Sequence, residues 1–233
     1  MQIHGFQKTT LLDYPGKVAC TIFLGGCNFR CPFCHNGDLV LCPNDVPVIS
    51  EETVFSHIKK RQGILEGVCI TGGEPCLQPD LADFIQKIRA LGLPVKLDTN
   101  GYYPDVLKSL VTSGLIDYVA MDIKQCVEKY NFISQMCGFD VTRIKESVSF
   151  LLERHVPYEF RTTVVKELHQ AEDFRAIGRW LAGADAYYLQ SYKNSEQVIT
   201  PGFSSYSYEE LKELQSLVLP YISNTKIRGV DEA

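Results

Sequence analysis

Two rhythms alternate along this chain: short unbroken apolar runs, and longer stretches whose apolar positions recur at helical spacing. Val18-Ala19-Cys20-Thr21-Ile22-Phe23-Leu24 is the first run and predicts a buried strand at about 18–24. A helix is expected from Glu51 to about Leu65, with Ser50 as its N-cap. Gly67 to Thr71 makes the second strand. Leu81, Phe84, Ile85 and Ile88 then repeat on one helical face, which Gly92 closes. The third strand is 94–98, and the helix after it opens near Pro104 and ends at Gly114. Strands at 118–124, 158–165 and 186–190 follow. The helices between and after them carry the stripes Ile144/Val148/Leu151/Leu152, Phe174/Ile177/Trp180/Leu181 and Leu211/Leu214/Leu217/Val218. Asp140 is placed to cap one of these helices, and Ser207-Tyr208-Glu209-Glu210 opens another as a capping box. Residues 226–230 suit a final short strand.

Strand followed by helix, repeated, is the pattern of a parallel sheet. Six such units are too few for a closed eight-stranded barrel. The expected fold is therefore α/β, an open six-stranded parallel β/α barrel or an open twisted sheet. Residues 1–233 read as a single domain, with about 1–17 as a short N-terminal hairpin or turn.

Composition narrows the class. A hydrophobic content of 45%, a charged content of 22% and a formal net charge of −5 describe an ordinary globular protein. A mildly acidic chain lacks the basic face that nucleic acid requires, so none is expected as partner. No run approaches the ~20 apolar residues of a membrane span, and the opening Met1 to Gln7 lacks a basic start followed by an apolar core. Nine cysteines without a secretion signal point to reduced thiols in the cytoplasm.

Three of those thiols carry the chemistry. Cys27, Cys31 and Cys34 follow the first strand directly, after the Gly25-Gly26 pair that breaks it into a tight loop. Thiolates at this spacing hold iron–sulfur clusters or zinc, and a three-thiolate site leaves a metal position open for a reactant. Other polar motifs fall at the ends of the later strands. They are Gly72-Gly73-Glu74-Pro75, Asp98-Thr99-Asn100-Gly101, Asp122 with Lys124, Arg161-Thr162-Thr163 and Gln190-Ser191-Tyr192-Lys193. In parallel α/β folds the reactive groups collect on that rim.

Cys-x3-Cys-x2-Cys with Phe33 just before the third Cys resembles the signature of radical S-adenosylmethionine enzymes. Its continuation Cys34-His35-Asn36 is similar to the glycyl-radical-enzyme activases among them. The resemblance implies a [4Fe–4S] cluster on Cys27, Cys31 and Cys34, with S-adenosylmethionine chelated to its open iron. Gly72-Gly73-Glu74 matches the family motif that contacts the methionine amino group, and Arg161 the position that grips its carboxylate. Phe33 and His35 match residues flanking the adenine. Asn100 and Thr163, short polar groups on the same rim, are expected among the cofactor contacts. By similarity to the activase of pyruvate formate-lyase, Asp98 and Asp122 would surround a monovalent cation, with Lys124 beside cofactor or substrate. Leu189 to Lys193 departs from that activase, which has a His-containing motif on its sixth strand.

The opening, Gly5 to Lys8 and Leu12 to Lys17, most resembles activating proteins of anaerobic ribonucleoside-triphosphate reductases. Residues 35–71 leave no room for the extra ferredoxin-like clusters that many activases insert there. The implied reaction is one-electron reduction by flavodoxin or ferredoxin, cleavage of the sulfonium, and hydrogen abstraction from a glycine of a partner enzyme. The alternatives are a radical enzyme acting on a small molecule, as a 7-deazaguanine synthase does, and a non-catalytic iron–sulfur or zinc protein. The six remaining cysteines read mainly as packing thiols.

Overall fold

The computed structural model describes residues 1–230. Its frame is one eight-stranded sheet whose spatial order follows the chain. β1 (Ile3–Thr10) pairs antiparallel with β2 (Ala19–Leu24), and every later pairing is parallel. Between β2 and β3 (Gly67–Gly72) lie α1 (Gly37–Leu41) and α2 (Glu51–Lys60). The chain continues through α3 (Leu81–Arg89), β4 (Val95–Thr99), α4 (Pro104–Thr112), β5 (Tyr118–Asp122), α5 (Tyr130–Ser134) and α6 (Val141–Leu152). It ends with β6 (Tyr158–Val164), α7 (Ala171–Trp180), β7 (Tyr187–Ser191), α8 (Tyr208–Val218) and β8 (Thr225–Arg228). β1 and β8 are the two free edges, so the sheet is an unclosed, partial barrel.

The six expected parallel strands are β2 to β7, and β8 adds a seventh. The N-terminal segment differs from expectation: β1 is an eight-residue edge strand, with hairpin geometry only in its pairing to β2. Only its end residues Ile3 and Thr10 are buried, so no alternation marked it. α2 stops at Lys60, short of Leu65, because Gly63 turns the chain in the left-handed region. The caps at Ser50, Asp140 and Ser207 each accept a backbone N–H, as expected.

Alternation along the strands divides the sheet into two faces. Val95, Leu97, Val119, Met121, Phe160 and Val164 join the buried apolar cluster. The residues between them, Lys96, Asp98, Asp122, Glu159 and Arg161, pair with one another or with neighbours on the other face. Fully apolar strands are usual where helices cover a parallel sheet on both sides. Here the concave side is polar. No helix among the described residues is long and apolar enough to cross a membrane.

Candidate active site

The cysteine loop is built backbone against backbone. Gly26 N–H donates to Leu39 O (2.8 Å), Glu74 N–H donates to Gly26 O (2.8 Å), and the Gln78 amide donates to Gly25 O (2.7 Å). A Cβ on Gly73 would lie 1.9 Å from Gly26 O, so only glycine permits this approach. Arg30 donates to the carbonyls of Cys27 (2.6 Å) and Phe29 (2.9 Å), and Cys34 N–H to Cys31 O (3.0 Å). The Asn36 side chain then ties the start of α1 to Gly72 O (2.8 Å).

The loop walls one cleft of about 780 Å³, its open mouth included. Cys27, Cys31, Cys34, Phe33, His35, Gly72, Gly73, Asp98, Asn100, Asp122, Lys124 and Thr163 all line it. Glu74 and Arg161, expected as direct ligand contacts, do not.

Both have protein partners. Glu74 is fully buried, and its carboxylate accepts from Thr99 Oγ1 (2.8 Å), Cys76 N–H (3.0 Å) and Asn100 N–H (2.7 Å). It staples the loop after β3 to the loop after β4. Arg161 lies between the two aspartates, donating from Nε to Asp122 (2.9 Å) and from Nη1 to Asp98 (3.2 Å). Lys96 bonds Asp98 from the other side, and Lys124 bonds Asp122 at 3.0 Å. Three cationic side chains thus surround two carboxylates. These pairs balance much of the carboxylate charge within the chain.

Burial alone would raise the Asp122 carboxyl, but Arg161 and Lys124 outweigh it and bring it down to about 2. For Lys124, burial works downward and Asp122 prevails, holding the ammonium charged. The thiols show the opposite balance. Burial, then the charge of Glu74, pushes Cys27 up to about 12; burial pushes Cys31 up to about 11 and raises Cys34. They become thiolates only against a positively charged guest.

Sequence reasoning missed several supporting residues. Asn28 accepts from Asn100 (2.8 Å), whose amide also reaches Cys27 Sγ (3.8 Å). His35 stacks on Tyr192 at 5.4 Å, in the segment that departs from the formate-lyase activase. Residues 197–200 then cross the cysteine loop. Ile199 N–H donates to Cys34 O (3.3 Å), Thr200 N–H to Pro32 O (2.8 Å), and Gly37 N–H to Gln197 O (3.2 Å). No apolar periodicity marks that segment.

The family model of the radical SAM superfamily matches residues 21–181, from β2 to just past α7. This chain belongs to the radical SAM superfamily. A candidate glycyl-radical enzyme activating enzyme of Methanocaldococcus jannaschii is 32% identical over 236 residues, covering 98% of this chain and 96% of that protein. The pyruvate formate-lyase 1-activating enzyme of Escherichia coli is 28% identical over 173 residues, 70% of this chain and 68% of that one. Among solved structures, Streptococcus suis SuiB bound to S-adenosylmethionine shares the fold at a TM-score of 0.67 and 17% identity. The match covers 87% of this chain, which spans about half of SuiB (48%).

As a radical SAM enzyme the chain uses a [4Fe–4S] cluster and S-adenosylmethionine. The donor set fits the cluster. Three thiols line one cleft, while no three His, Cys, Asp or Glu side chains among the described residues close on a single metal ion. A cluster takes each thiolate on a different iron and asks for no such convergence, whereas a structural zinc knuckle does.

Proposed function

We propose that this radical SAM enzyme is an activase that generates a glycyl radical on a partner enzyme, and that the partner is anaerobic ribonucleoside-triphosphate reductase. The similarity to a glycyl-radical activating relative over 98% of the chain carries the first half. The opening residues 5–17 support the second.

Cys27, Cys31 and Cys34 would hold the cluster, which would supply the electron for reductive cleavage of S-adenosylmethionine. The chain's own residues do the rest. Lys124, held charged by Asp122, offers the cation of the cleft to a carboxylate. Gly72 and Gly73 let the backbone approach the ligand closely, and Asn100 and Thr163 present short polar groups to it. Phe33 and His35 supply flat surfaces against which a base stacks. Glu74 and Arg161 act one layer out, by fixing the loops and the aspartates. The open edge between β1 and β8 leaves a polypeptide a way in. Flavodoxin or ferredoxin is the proposed electron donor and the cytoplasm the proposed location, with the chain working as one domain.

The test is anaerobic reconstitution and dithionite reduction, followed by two readouts. These are 5′-deoxyadenosine release, and the glycyl-radical doublet in electron paramagnetic resonance with the anaerobic reductase added. Both together support the proposal. Release without the doublet removes this partner, and no release removes the mechanism.

A further inference from the structure

His169 has no role in the family reading above, yet it touches two walls of the cleft. The ring is fully buried in the loop between β6 and α7. Its Nδ1 lies 3.1 Å from the Val165 N–H and 3.3 Å from the Val165 carbonyl oxygen, while Nε2 faces the Lys124 carbonyl; accepting the shorter Val165 N–H bond at Nδ1 places the proton on Nε2, where it meets an acceptor. That Nε2–H donates to the carbonyl oxygen of Lys124 (3.0 Å). One edge of the imidazole meets the ring of Phe33 at 6.1 Å, between the second and third cysteines of the loop. Tyr206 in turn donates to the His169 carbonyl (2.6 Å). Burial lowers the imidazole's affinity for a proton, so the ring stays neutral with one donor and one acceptor.

The Lys124 backbone beyond β5 has few other holds. Its N–H donates to Tyr130 Oη (3.2 Å), and Thr162 Oγ1 donates to the neighbouring Ile123 carbonyl (2.7 Å). His169 therefore completes the clamp on the residue whose ammonium faces the ligand, and it sets the same residue's height relative to Phe33.

We infer that His169 is a positioning residue for S-adenosylmethionine, acting through the Nε2–H bond to Lys124 and the contact with Phe33. It touches no ligand itself.

Two polar replacements separate its two nitrogens. In His169→Gln the side-chain amide reaches the Nε2 position and keeps a donor for Lys124 O; in His169→Asn the amide reaches only the Nδ1 position. S-adenosylmethionine binding to the reconstituted protein is measured by equilibrium dialysis, with iron per chain and thermal unfolding followed in parallel. The expected result is His169→Gln within about threefold of the parent and His169→Asn about tenfold weaker, at equal iron content. Equal binding by the two variants, or tighter binding by His169→Asn, overturns the inference, because a merely structural ring would not rank them this way. Nitrogen-15 spectra of the parent protein provide a check that needs no variant. An Nε2–H tautomer is expected, and an Nδ1–H tautomer overturns the inference.

Discussion

Glu74 separates a structural carboxylate from a ligand-binding one. If its oxygens met the ligand, Glu74→Ala would weaken binding and leave the cluster-free protein about as stable as before. The structure instead gives the carboxylate three internal donors, two of them backbone N–H groups with no other partner among the described residues. Each orphaned buried donor costs about 1–3 kcal/mol, and the Thr99 hydroxyl can rotate to a new acceptor while the amides cannot. Relief from burying a charge, visible in the carboxyl's raised pKa, offsets part of the sum. The expected loss for Glu74→Ala is about 3 kcal/mol, a large fraction of the ~5–15 kcal/mol available to a folded domain. Glu74→Gln keeps one acceptor oxygen but turns an amide proton toward a donor, so it should lose about half as much. Urea unfolding of the cluster-free protein, followed by circular dichroism, reads both at once. The expected signature is a lower midpoint at unchanged slope. A Glu74→Ala protein that unfolds within about 1 kcal/mol of the parent, yet fails to bind S-adenosylmethionine, would refute this account.

Other expectations are equally direct. Because Asp122 is depressed in the fold to about 2, its contribution is present above the unfolded value near 4 and is lost as pH falls toward 2. Asp122→Asn should remove about 2 kcal/mol from that acid limb, and an acid-unfolding curve identical to the parent's would contradict the Arg161–Asp122 pairing. Gly73→Ala should push the cysteine loop off Gly26, costing about 1–3 kcal/mol and reducing iron per chain after reconstitution; parent-like iron content would show that the two loops yield. Ser207→Ala removes the acceptor of the α8 capping box and should lower stability by about 1 kcal/mol in thermal melts, without changing S-adenosylmethionine binding.

What the sequence disclosed is local. Caps at Ser50, Asp140 and Ser207 and the strand runs were readable because hydrogen bonds within three residues and a run of apolar side chains decide them. The cysteine spacing was readable for the same reason. β1 was not, since an edge strand buried only at its ends carries no period. Lys96 and Glu159 looked like any charged residues, and only the sheet's curvature reveals that they sit on its polar concave side, almost fully buried. Glu74 and Arg161 were correctly gathered to the rim, but their roles depend on partners 26 and 63 residues away in the chain. No local pattern records such pairings. His169 was invisible to sequence reasoning for that reason too.

The strap at 197–200 has a consequence for biosynthesis. The family match ends at residue 181, and the three cysteines lie within the first 34 residues. Yet the carbonyls of Pro32 and Cys34 receive their hydrogen bonds from Thr200 and Ile199. Translation delivers the thiols before the backbone partners at 199–200. A nascent chain therefore carries the three thiols without this strap until residues 197–200 have emerged, and the loop reaches its final shape only then. Cluster insertion is then naturally timed to follow the strap, and a protein cut back to its family-matched core would keep all three cysteines and lose the clasp that holds their loop.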